Sequence, residues 1–335
     1  MNRALKKYLI TGGAGFIGSH LSELLLARGD EVTVLDDFST GSIENISGLE
    51  AESGFNVIRG SVLDEELLDR TIPEHDVIVH LAAAVGVKLI INNPALTIES
   101  NVLGTHFVLR ACQKYGKKIM LASTSEVYGK NDDAPFSEDQ DSVLGPTTIA
   151  RWAYAASKAV DEFLALAFNK QYGLPVVIFR LFNTIGPRQV GDFGMVVPSF
   201  VNKAIAGGPL QVFGSGSQTR CFCDVRDVVR AIALLEESDE AIGQVYNIGA
   251  EDEISIIDLA REVVVASGLV SEDRVDDAIE VISYDEAYEG GFEDMMRRVP
   301  NISKIRNAVG WQPEIKLAET LGTLIELRRE SESAD

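Results

Sequence analysis

The chain contains 335 residues, of which 46% are hydrophobic, so it can bury a large core and has the length of about two domains. Fifty-one acidic residues against 30 lysines and arginines give it a formal net charge of −21. A chain of this charge has no general attraction for nucleic acid or for an anionic membrane, so we expect neither as a partner. Any phosphate group must then be bound locally, by backbone N–H groups and a few arginines.

Cysteine content and hydropathy narrow the class of protein further. Three cysteines are too few for a disulfide framework, and Cys221 and Cys223 flank Phe222 in a spacing that suits alternate faces of a strand. No histidine or further cysteine lies near them in sequence, so we expect buried thiols and no metal site. No signal peptide is visible, and no apolar run approaches the roughly 20 residues that a membrane-spanning helix needs. These features predict a cytoplasmic protein.

Apolar segments alternate with helical patterns over the first 180 residues. Strands are predicted at Tyr8–Thr11, Glu31–Leu35, Asn56–Arg59, Val77–Leu81, Lys118–Ala122 and Val176–Arg180, and helices at about 16–28, 64–71, 94–115 and 151–172. This alternation is typical of a doubly wound parallel α/β sheet. After Gly186-Pro187, glycines and prolines punctuate short segments, and helices are predicted near 255–267 and 317–329, before a frayed polar tail at 329–335.

A glycine-rich turn follows the first predicted strand. Gly12, Gly15 and Gly18 form a G-x-x-G-x-x-G spacing at the strand-to-helix junction. Glycines here allow a sharp turn and let the backbone approach a pyrophosphate, while the helix N-terminus supplies N–H groups. Asp36 and Asp37 end the second predicted strand, and Asp36 lies eighteen residues beyond Gly18. Because an acid at this place accepts hydrogen bonds from ribose hydroxyls and repels a 2′-phosphate, the pair predicts NAD rather than NADP. Asp36 is the expected ribose ligand, and Asp37 the cap of the loop.

Two later segments carry reactive side chains. Residues 121–129 follow a predicted strand with the sequence LASTSEVYG, and Tyr154 and Lys158 lie four residues apart on a predicted helix. At this spacing the two side chains share one helix face, and the ammonium stabilises a phenolate. Such a tyrosine can take the proton of a sugar hydroxyl while a hydride leaves for a nicotinamide.

Together these motifs resemble the extended short-chain dehydrogenase/reductase family, specifically its NAD-dependent nucleotide-sugar epimerases and dehydratases. The resemblance runs from about residue 7 to 325. Its motifs keep their order: Gly12–Gly18, Asp36, His80-Leu81-Ala82-Ala83, Asn101, Ser123–Gly129, Tyr154 with Lys158, Arg180-Leu181-Phe182-Asn183 and Gly186-Pro187-Arg188.

The resemblance implies a Rossmann doubly wound sheet with a smaller C-terminal α/β lobe that binds the substrate. It places the NAD-binding domain at 1–185 plus about 222–250, and the nucleotide-sugar lobe at about 186–221 and 251–330. It also implies a homodimer, in which the helices at 94–115 and 151–172 pair across a two-fold axis as a four-helix bundle.

The resemblance further implies roles for individual residues. Those expected to bind the cofactor are Gly12, Gly15, Phe16, Ile17, Gly18, Asp36, Asp37, Ser61, Val62, Leu81, Ala82, Ala83, Asn101, Tyr154 and Lys158. Those expected to bind a UDP-sugar are Lys88, Thr124, Asn183, Arg188, Arg220 and Arg298, and the expected catalytic set is Tyr154, Lys158, Thr124, Glu126 and Ser125. No metal is expected. The family often has Gly-Asp after the third strand, where this chain has Gly60-Ser61, so a carboxylate contact to adenine is in doubt. His80 is expected to be a packed strand-end residue rather than a base.

Three reactions remain open after the first step that the family shares. That step oxidises the sugar at C4 and gives a 4-keto sugar. Return of the hydride to the other face gives 4-epimerisation. A carboxylate on C5 becomes part of a β-keto acid and leaves as CO2. An acid/base pair near C5 and C6 allows 4,6-dehydration.

The residues around the predicted site favour these reactions unequally. The family's 4,6-dehydratases usually have Thr-Asp-Glu where this chain has Thr124-Ser125-Glu126, and a serine has no comparably acidic proton. The run Thr-Ser-Glu-Val-Tyr-Gly is similar to UDP-glucuronate decarboxylases. Val85–Lys88, Gly145–Tyr154 and Glu286–Asp294 instead resemble UDP-sugar 4-epimerases, including a subgroup with UDP-glucuronate 4-epimerases.

We therefore favour an NAD-dependent UDP-sugar 4-epimerase acting on UDP-glucuronate or UDP-glucose/galactose. UDP-glucuronate decarboxylation through Glu126 and Arg298 is the alternative, and a 4,6-dehydratase or a non-catalytic NAD-binding protein ranks below it.

Arg298 has two interpretations. Arg297-Arg298-Val299-Pro300 lies where the family's C-terminal segment closes over the C5 and C6 side of the sugar. Arg298 then holds a uronate carboxylate or the diphosphate. In the other interpretation, the arginine pair lies on the surface and neutralises Glu293 and Asp294. The Gly186–Gly194 loop supplies Val190 and Asp192 and no cation there, so the choice of sugar stays open.

Overall fold

The computed structural model describes residues 4–84, 94–191, 195–283 and 295–334. Its strands are β1 (Lys7–Thr11), β2 (Glu31–Asp36), β3 (Phe55–Arg59), β4 (Val77–His80), β5 (Lys118–Thr124), β6 (Val176–Leu181), β7 (Thr184–Ile185), β8 (Leu210–Phe213), β9 (Thr219–Cys221), β10 (Cys223–Asp224), β11 (Gln244–Ile248), β12 (Glu253–Ser255), β13 (Ile279–Ile282) and β14 (Arg297–Arg298). Its helices are α1 (Phe16–Ala27), α2 (Glu65–Thr71), α3 (Pro94–Tyr115), α4 (Trp152–Tyr172), α5 (Val196–Ile205), α6 (Val225–Glu237), α7 (Ile256–Ser267), α8 (Ser303–Val309) and α9 (Leu317–Ala334).

Seven strands form a wholly parallel sheet in the order β11-β6-β5-β4-β1-β2-β3. Helices cover both faces of the sheet. Every residue of β4, and every residue of β6 except Leu181, is therefore buried. Alternate side chains supply two cores. Tyr8 and Ile10 pack with α1 and α6 on one face, whereas Leu9 packs with α3 and α4 on the other. The predicted doubly wound α/β fold is confirmed.

The C-terminal half builds a second hydrophobic core. It consists of residues from α5, α7, α9 and β8, among them Phe200, Val212, Leu259 and Leu321. β12, β9 and β14 form a small sheet beside it. The chain also returns to the first unit, because α6 packs on α1 and β11 joins the large sheet. The boundaries of the two predicted domains stay a prediction.

Two segments differ from the sequence-based expectation. The predicted polar tail is wrong, because α9 continues to Ala334 and an i,i+4 pair between Arg328 and Glu332 (3.3 Å) supports its last turns. The region after Gly186-Pro187 contains α5, where Pro198 is tolerated because it lies in the first turn and needs no hydrogen bond there.

Cys112, Cys221 and Cys223 are buried free thiols. Within the described ranges, no helix has the length and apolarity to cross a membrane, and no cluster of metal-ligating side chains occurs.

The carboxyl ends of β1, β2, β4, β5 and β6 lie at one edge of the sheet, as parallel strands require. The chain order reverses between β1 and β4, and open α/β sheets bind their ligands at such a switch point. The glycine turn, Asp36, Leu81, Thr124 and Asn183 all follow or end these strands.

Candidate active site

The glycine turn is built for close backbone contacts. Gly12 has φ +70°, and a Cβ there would lie 2.8 Å from the Ala82 backbone nitrogen. A Cβ at Gly18 would lie 2.6 Å from the carbonyl oxygen of Gly12. α1 begins at Phe16, and Gly15 caps it without a side-chain hydrogen bond or an acid in the first turn. The first-turn N–H groups therefore have no side-chain acceptor, which fits a pyrophosphate.

Asp36 lies buried at the end of β2. Its carboxylate accepts hydrogen bonds from the backbone N–H groups of Ala14 (2.9 Å) and Phe38 (2.8 Å). Burial raises the pKa of Asp36, and these two hydrogen bonds only partly offset the rise. Asp37 is exposed and accepts from the Ser39 N–H (2.9 Å), so it caps the loop. The turn thus presents one buried acid where a ribose is expected.

Ser61 and Val62 follow β3. The Ser61 hydroxyl accepts a hydrogen bond from the Leu63 N–H (3.2 Å) and caps its own turn. Val62 packs against α3, because a Cβ at Gly104 would lie 2.8 Å from it. Their predicted contacts to adenine stay a prediction.

The segment after β4 is tied to the helix that carries the reactive pair. The Ala82 N–H donates to the Thr11 hydroxyl (3.3 Å), and the Ala84 N–H donates to the Asn101 side chain (2.8 Å). Asn101 is buried, and its Nδ2 donates in turn to the Ser157 hydroxyl (3.3 Å) on α4. Leu81, Ala82 and Ala83 thus lie beside Thr11, at the edge of the sheet where the cofactor is expected. Lys88, with Val85–Lys88, lies outside the described residues.

Tyr154 lies beside Thr124, as the motif predicts. Thr124 ends β5, accepts a hydrogen bond from the Glu126 N–H (3.2 Å) and hydrogen-bonds the Tyr154 side chain. Burial raises the pKa of the Tyr154 phenol well above its usual value, and the charges of Glu126 and Asp161 raise it further. The phenol therefore needs a positive partner before it can accept a substrate proton as a phenolate.

Lys158 and Ser125 are both buried. The Lys158 ammonium donates to Asp161 (2.8 Å) one helix turn further along α4. The Ser125 hydroxyl has no hydrogen-bond partner in the part of the chain that the structure describes. Ser125 therefore has no neighbour that would make it a stronger acid.

Glu126 lies between two guanidinium groups. Arg298 donates to one carboxylate oxygen, and Arg151 approaches the other at 3.6 Å. Burial raises the pKa of Glu126, but Arg298 and Arg151 outweigh it and hold that pKa below its usual value. The Arg298 Nη1 also donates to the Asn183 side chain (3.4 Å), while its buried Nε has no partner among the described residues. Glu126 is thus ionised, and the Nε–H of Arg298 is available to donate a hydrogen bond to a ligand.

The surface interpretation of Arg298 is wrong. Arg298 is 8% exposed, whereas its neighbour Arg297 is exposed and pairs with Glu253 at 2.9 Å. Successive side chains of a strand point to opposite sides, so β14 sends one arginine inward and one outward. Glu293 and Asp294 lie outside the described residues.

A third arginine completes what we call the arginine cluster, namely Arg151, Arg220 and Arg298 around Glu126. Arg220 lies on β9 opposite Arg298, is buried, and lowers the pKa of Glu126. Asn183 joins this group by donating to the Cys221 carbonyl (3.0 Å). The Arg188 guanidinium pairs with Glu23 on α1, and its buried Nη1 has no hydrogen-bond partner among the described residues, so its contact with the substrate stays a prediction.

Sequence reasoning missed two side chains of the site. Arg151 and Asp161 were not assigned roles, although each lies three residues from a predicted catalytic residue. At that spacing Arg151 shares a helix face with Tyr154, and Asp161 shares one with Lys158. The periodicity of α4 was the signal that could have found both.

Comparison with known proteins gives the family. A sequence profile of the family described as GDP-mannose 4,6 dehydratase matches residues 9–324. The chain is 40% identical over 330 residues to a UDP-N-acetyl-alpha-D-glucosaminuronate decarboxylase of Bacillus cytotoxicus, covering 98% of this chain and 99% of that protein. It is 36% identical over 325 residues to UDP-glucuronic acid decarboxylase 1 of Arabidopsis thaliana, covering 97% of this chain and 70% of that protein.

Solved structures agree with this result. A dTDP-glucose 4,6-dehydratase of Streptomyces venezuelae with NAD and TYD bound has a TM-score of 0.85 and 30% identity, with 98% of each chain covered. A UDP-glucose 4-epimerase of Thermotoga maritima with UDP-glucose has a TM-score of 0.83 and 28% identity, covering 97% of this chain and 99% of that one. The glycine turn and Asp36 fit the same cofactor. The chain therefore belongs to the GDP-mannose 4,6 dehydratase family within the extended short-chain dehydrogenase/reductases, as an NAD-dependent enzyme acting on nucleotide sugars.

Proposed function

We propose that the protein is an NAD-dependent decarboxylase of a UDP-hexuronate. The observation that carries the proposal is the buried guanidinium of Arg298, which pairs with Glu126 and has an Nε donor without a partner among the described residues. In a chain of net charge −21, a buried arginine with a remaining donor beside Tyr154 and Thr124 fits a carboxylate supplied by the substrate. The named functions of the two curated relatives support the same reaction.

Tyr154 and Thr124 contact the sugar 4-hydroxyl in this mechanism. Tyr154 accepts its proton as a phenolate, which the Lys158 ammonium stabilises, and thereby becomes a neutral phenol. NAD, when bound, supplies the hydride acceptor for C4. The 4-ketone turns the uronate into a β-keto acid, from which CO2 departs while the electron pair moves toward the C4 oxygen. The hydroxyls of Thr124 and Tyr154 then stabilise the developing negative charge on that oxygen. C5 takes up a proton from solvent in place of the carboxylate, and Tyr154 returns its proton to the C4 oxygen as the hydride returns to C4, which gives the UDP-pentose.

Glu126 acts in this scheme as a charge rather than as an acid. Its pKa is held below the usual value, so it has no proton to give. With Arg298 already paired to Glu126, the substrate carboxylate shares that cation with a like charge. Loss of CO2 moves one of the two negative charges away from Glu126 to the C4 oxygen and relieves their repulsion. The reaction is therefore favoured by the same cluster that binds the substrate.

4-Epimerisation is the second candidate. Tyr154, Thr124 and Lys158 serve it equally well, since it shares the 4-keto intermediate, and the Thermotoga maritima neighbour is named as a 4-epimerase. The named relatives favour decarboxylation, which the sequence analysis ranked second. Dehydration remains disfavoured because Ser125 is buried with no partner among the described residues and Glu126 is ionised.

The deciding experiment is incubation of the purified protein with UDP-glucuronate, with UDP-N-acetylglucosaminuronate and with UDP-glucose, followed by NMR. We expect a UDP-pentose or its N-acetylated counterpart, with release of CO2, from one of the uronates. A product that keeps C6 and has an inverted 4-hydroxyl would establish the epimerase instead.

Tyr154→Phe is the matched control for that experiment, since it removes one hydroxyl only. We expect turnover to fall by about 10²- to 10⁴-fold, the usual contribution of a positioned acid/base group, while NAD still binds. NAD binding is followed by titration, and turnover near the wild-type rate would contradict the assignment of Tyr154.

A further inference from the structure

A buried ion pair on α4 involves a residue that the proposed mechanism does not use. The side chains of Lys158 and Asp161 are 4% and 0% exposed, and 2.8 Å separates the ammonium from Asp161 Oδ2. Removing one partner of such a pair leaves an uncompensated charge in the interior, which is strongly unfavourable. The position of the Lys158 ammonium therefore depends on Asp161.

Asp161 is also the end of a chain of hydrogen bonds that starts at the cofactor edge. The Ala82 N–H donates to the Thr11 hydroxyl (3.3 Å), which lies 2.7 Å from His80 Nδ1. His80 Nε2 lies 3.2 Å from the Thr105 hydroxyl, and Thr105 is near enough to the Asp161 carboxyl to lower its pKa, although burial raises that pKa overall. Asp161 Oδ1 has no hydrogen-bond partner among the described residues, so it is an acceptor that the Thr105 hydroxyl can use. All of these side chains are buried.

The direction of this chain follows from His80. Burial and the charge of Lys158 lower the pKa of His80 to about 3, so the imidazole is neutral and has one donor and one acceptor. The hydrogen bond from Ala82 leaves the Thr11 hydroxyl proton available for Nδ1, and we therefore place the proton of His80 on Nε2. Nε2–H then donates to Thr105, which leaves the Thr105 hydroxyl proton available for the Asp161 carboxylate. In this arrangement every donor has an acceptor when Asp161 is ionised.

We infer that Asp161 is a positioning residue that holds the Lys158 ammonium where Tyr154 needs it, and that the Thr105–His80–Thr11 chain holds Asp161 in turn. The inference rests on the Tyr154 and Lys158 roles of the proposed function, but not on whether CO2 is lost. Asp161 acts only through Lys158, so its effects must disappear when Lys158 is absent.

The test is a pair of double-mutant cycles with Asp161→Asn and Lys158→Met. The first is measured on the cofactor-free protein by urea unfolding. We expect each single variant to lower the midpoint and the double variant to lower it by less than the sum, because both members of the pair are then gone. Additive shifts would overturn the inference.

The second cycle is read in the first half-reaction, the reduction of bound NAD when a UDP-sugar is added. This step is common to decarboxylation and epimerisation, so its outcome is independent of the final product. We expect Asp161→Asn to slow it about 10- to 100-fold with the KM for the UDP-sugar nearly unchanged. In the Lys158→Met background we expect no further loss, and a full second loss would overturn the inference.

Two further variants guard against a purely structural effect. Thr105→Val keeps every charge and removes one hydrogen bond to Asp161, so we expect a loss of about 2- to 10-fold in the same rate even if Asp161→Asn folds poorly. Glu236→Gln is the matched control, because Glu236 is a buried carboxylate bound to Lys6 (2.7 Å) and Tyr8 (2.7 Å) behind the sheet. Glu236→Gln should lower the stability of the protein and leave the rate of NAD reduction unchanged. An unchanged rate in Thr105→Val would contradict the role of the Thr105–His80–Thr11 chain of hydrogen bonds.

Discussion

His80 shows how burial changes the chemistry expected of a residue type. A histidine at the edge of a cofactor site suggests a base, yet the imidazole is buried at the end of β4 between the hydroxyls of Thr11 and Thr105. Burial lowers its pKa to about 3, so it stays neutral at any pH where the enzyme works. Its contribution is to stability and to hydrogen-bond direction rather than to proton transfer.

The stability of the protein should therefore depend on pH through His80. The folded pKa lies below the unfolded value of 6.5, so the stabilisation is complete above pH 6.5 and is lost as the pH falls toward 3. Between pH 6.5 and 5 this loss amounts to about 2 kcal/mol. Urea unfolding at a series of pH values should show a shallower pH dependence for His80→Gln than for the wild-type protein. Identical slopes would show that His80 is protonated in the folded state.

At the scale of elements, the segment around Phe136 holds β14 in position. Phe136 accepts and donates backbone hydrogen bonds with Asn301 and Val299 (2.8 Å each), directly after Arg298. We call Phe136 and Val299–Asn301 the strap. The buried Asn247 on β11 holds the strap in place, because its Nδ2 donates to the Phe136 carbonyl (2.8 Å) and its Oδ1 accepts from Tyr128 (2.8 Å). The strap thereby connects the large sheet to the segment that presents Arg298.

Asn247→Leu tests this connection with a side chain of similar volume. It removes the acceptor of the buried Tyr128 hydroxyl proton, which costs about 1–3 kcal/mol, and one of the two donors to the Phe136 carbonyl, which keeps the Asn301 N–H. We expect a lower unfolding midpoint in urea and a several-fold higher KM for the uronate. Thr323→Val on the exposed face of α9, which also removes a single polar contact, should change neither. A normal KM in a destabilised Asn247→Leu protein would separate the strap from substrate binding.

The elements of the first half were predictable because each carries its own signal. Several strands through β6, such as β4, are short unbroken apolar runs, and α4 shows a regular helical period. α5 gave no such signal because Pro198 and the surrounding glycines suggested a loop. The residues of the site divide in the same way. The Tyr154 and Lys158 pair is local, whereas the contact of Glu126 with Arg298 spans 172 positions and depends on a two-residue strand. The pairing of Arg188 with Glu23 is likewise not local, since it depends on how α1 packs.

At the scale of the whole molecule, an apolar surface on α3 and α4 supports the predicted homodimer. The two helices pack side by side, and they leave Leu103 (44% exposed), Val160 (42%) and Phe163 (75%) at the surface. Apolar side chains grouped on neighbouring helices mark an interaction site more often than isolated ones do. We propose that a second copy covers them and forms the four-helix bundle.

Phe163→Glu should convert the dimer to a monomer, because it buries a charge at the centre of the proposed contact. Light scattering at micromolar concentration measures this directly. Val265→Glu is the control, since Val265 is also an exposed apolar residue (47%) but lies on α7 in the other lobe. A wild-type protein that is monomeric under these conditions would contradict the homodimer.

The place of β14 in the chain has a consequence for synthesis. A growing chain on the ribosome completes β1 to β6, the glycine turn, Tyr154 and Lys158 long before Arg298 is made. The core behind α1, however, includes Ile302, Ile305 and Trp311, which follow Arg298 in the chain. The sheet face that carries the glycine turn is therefore fully packed only after β14 has also been made. The order of the sequence thus couples completion of the cofactor-binding unit to completion of the arginine cluster.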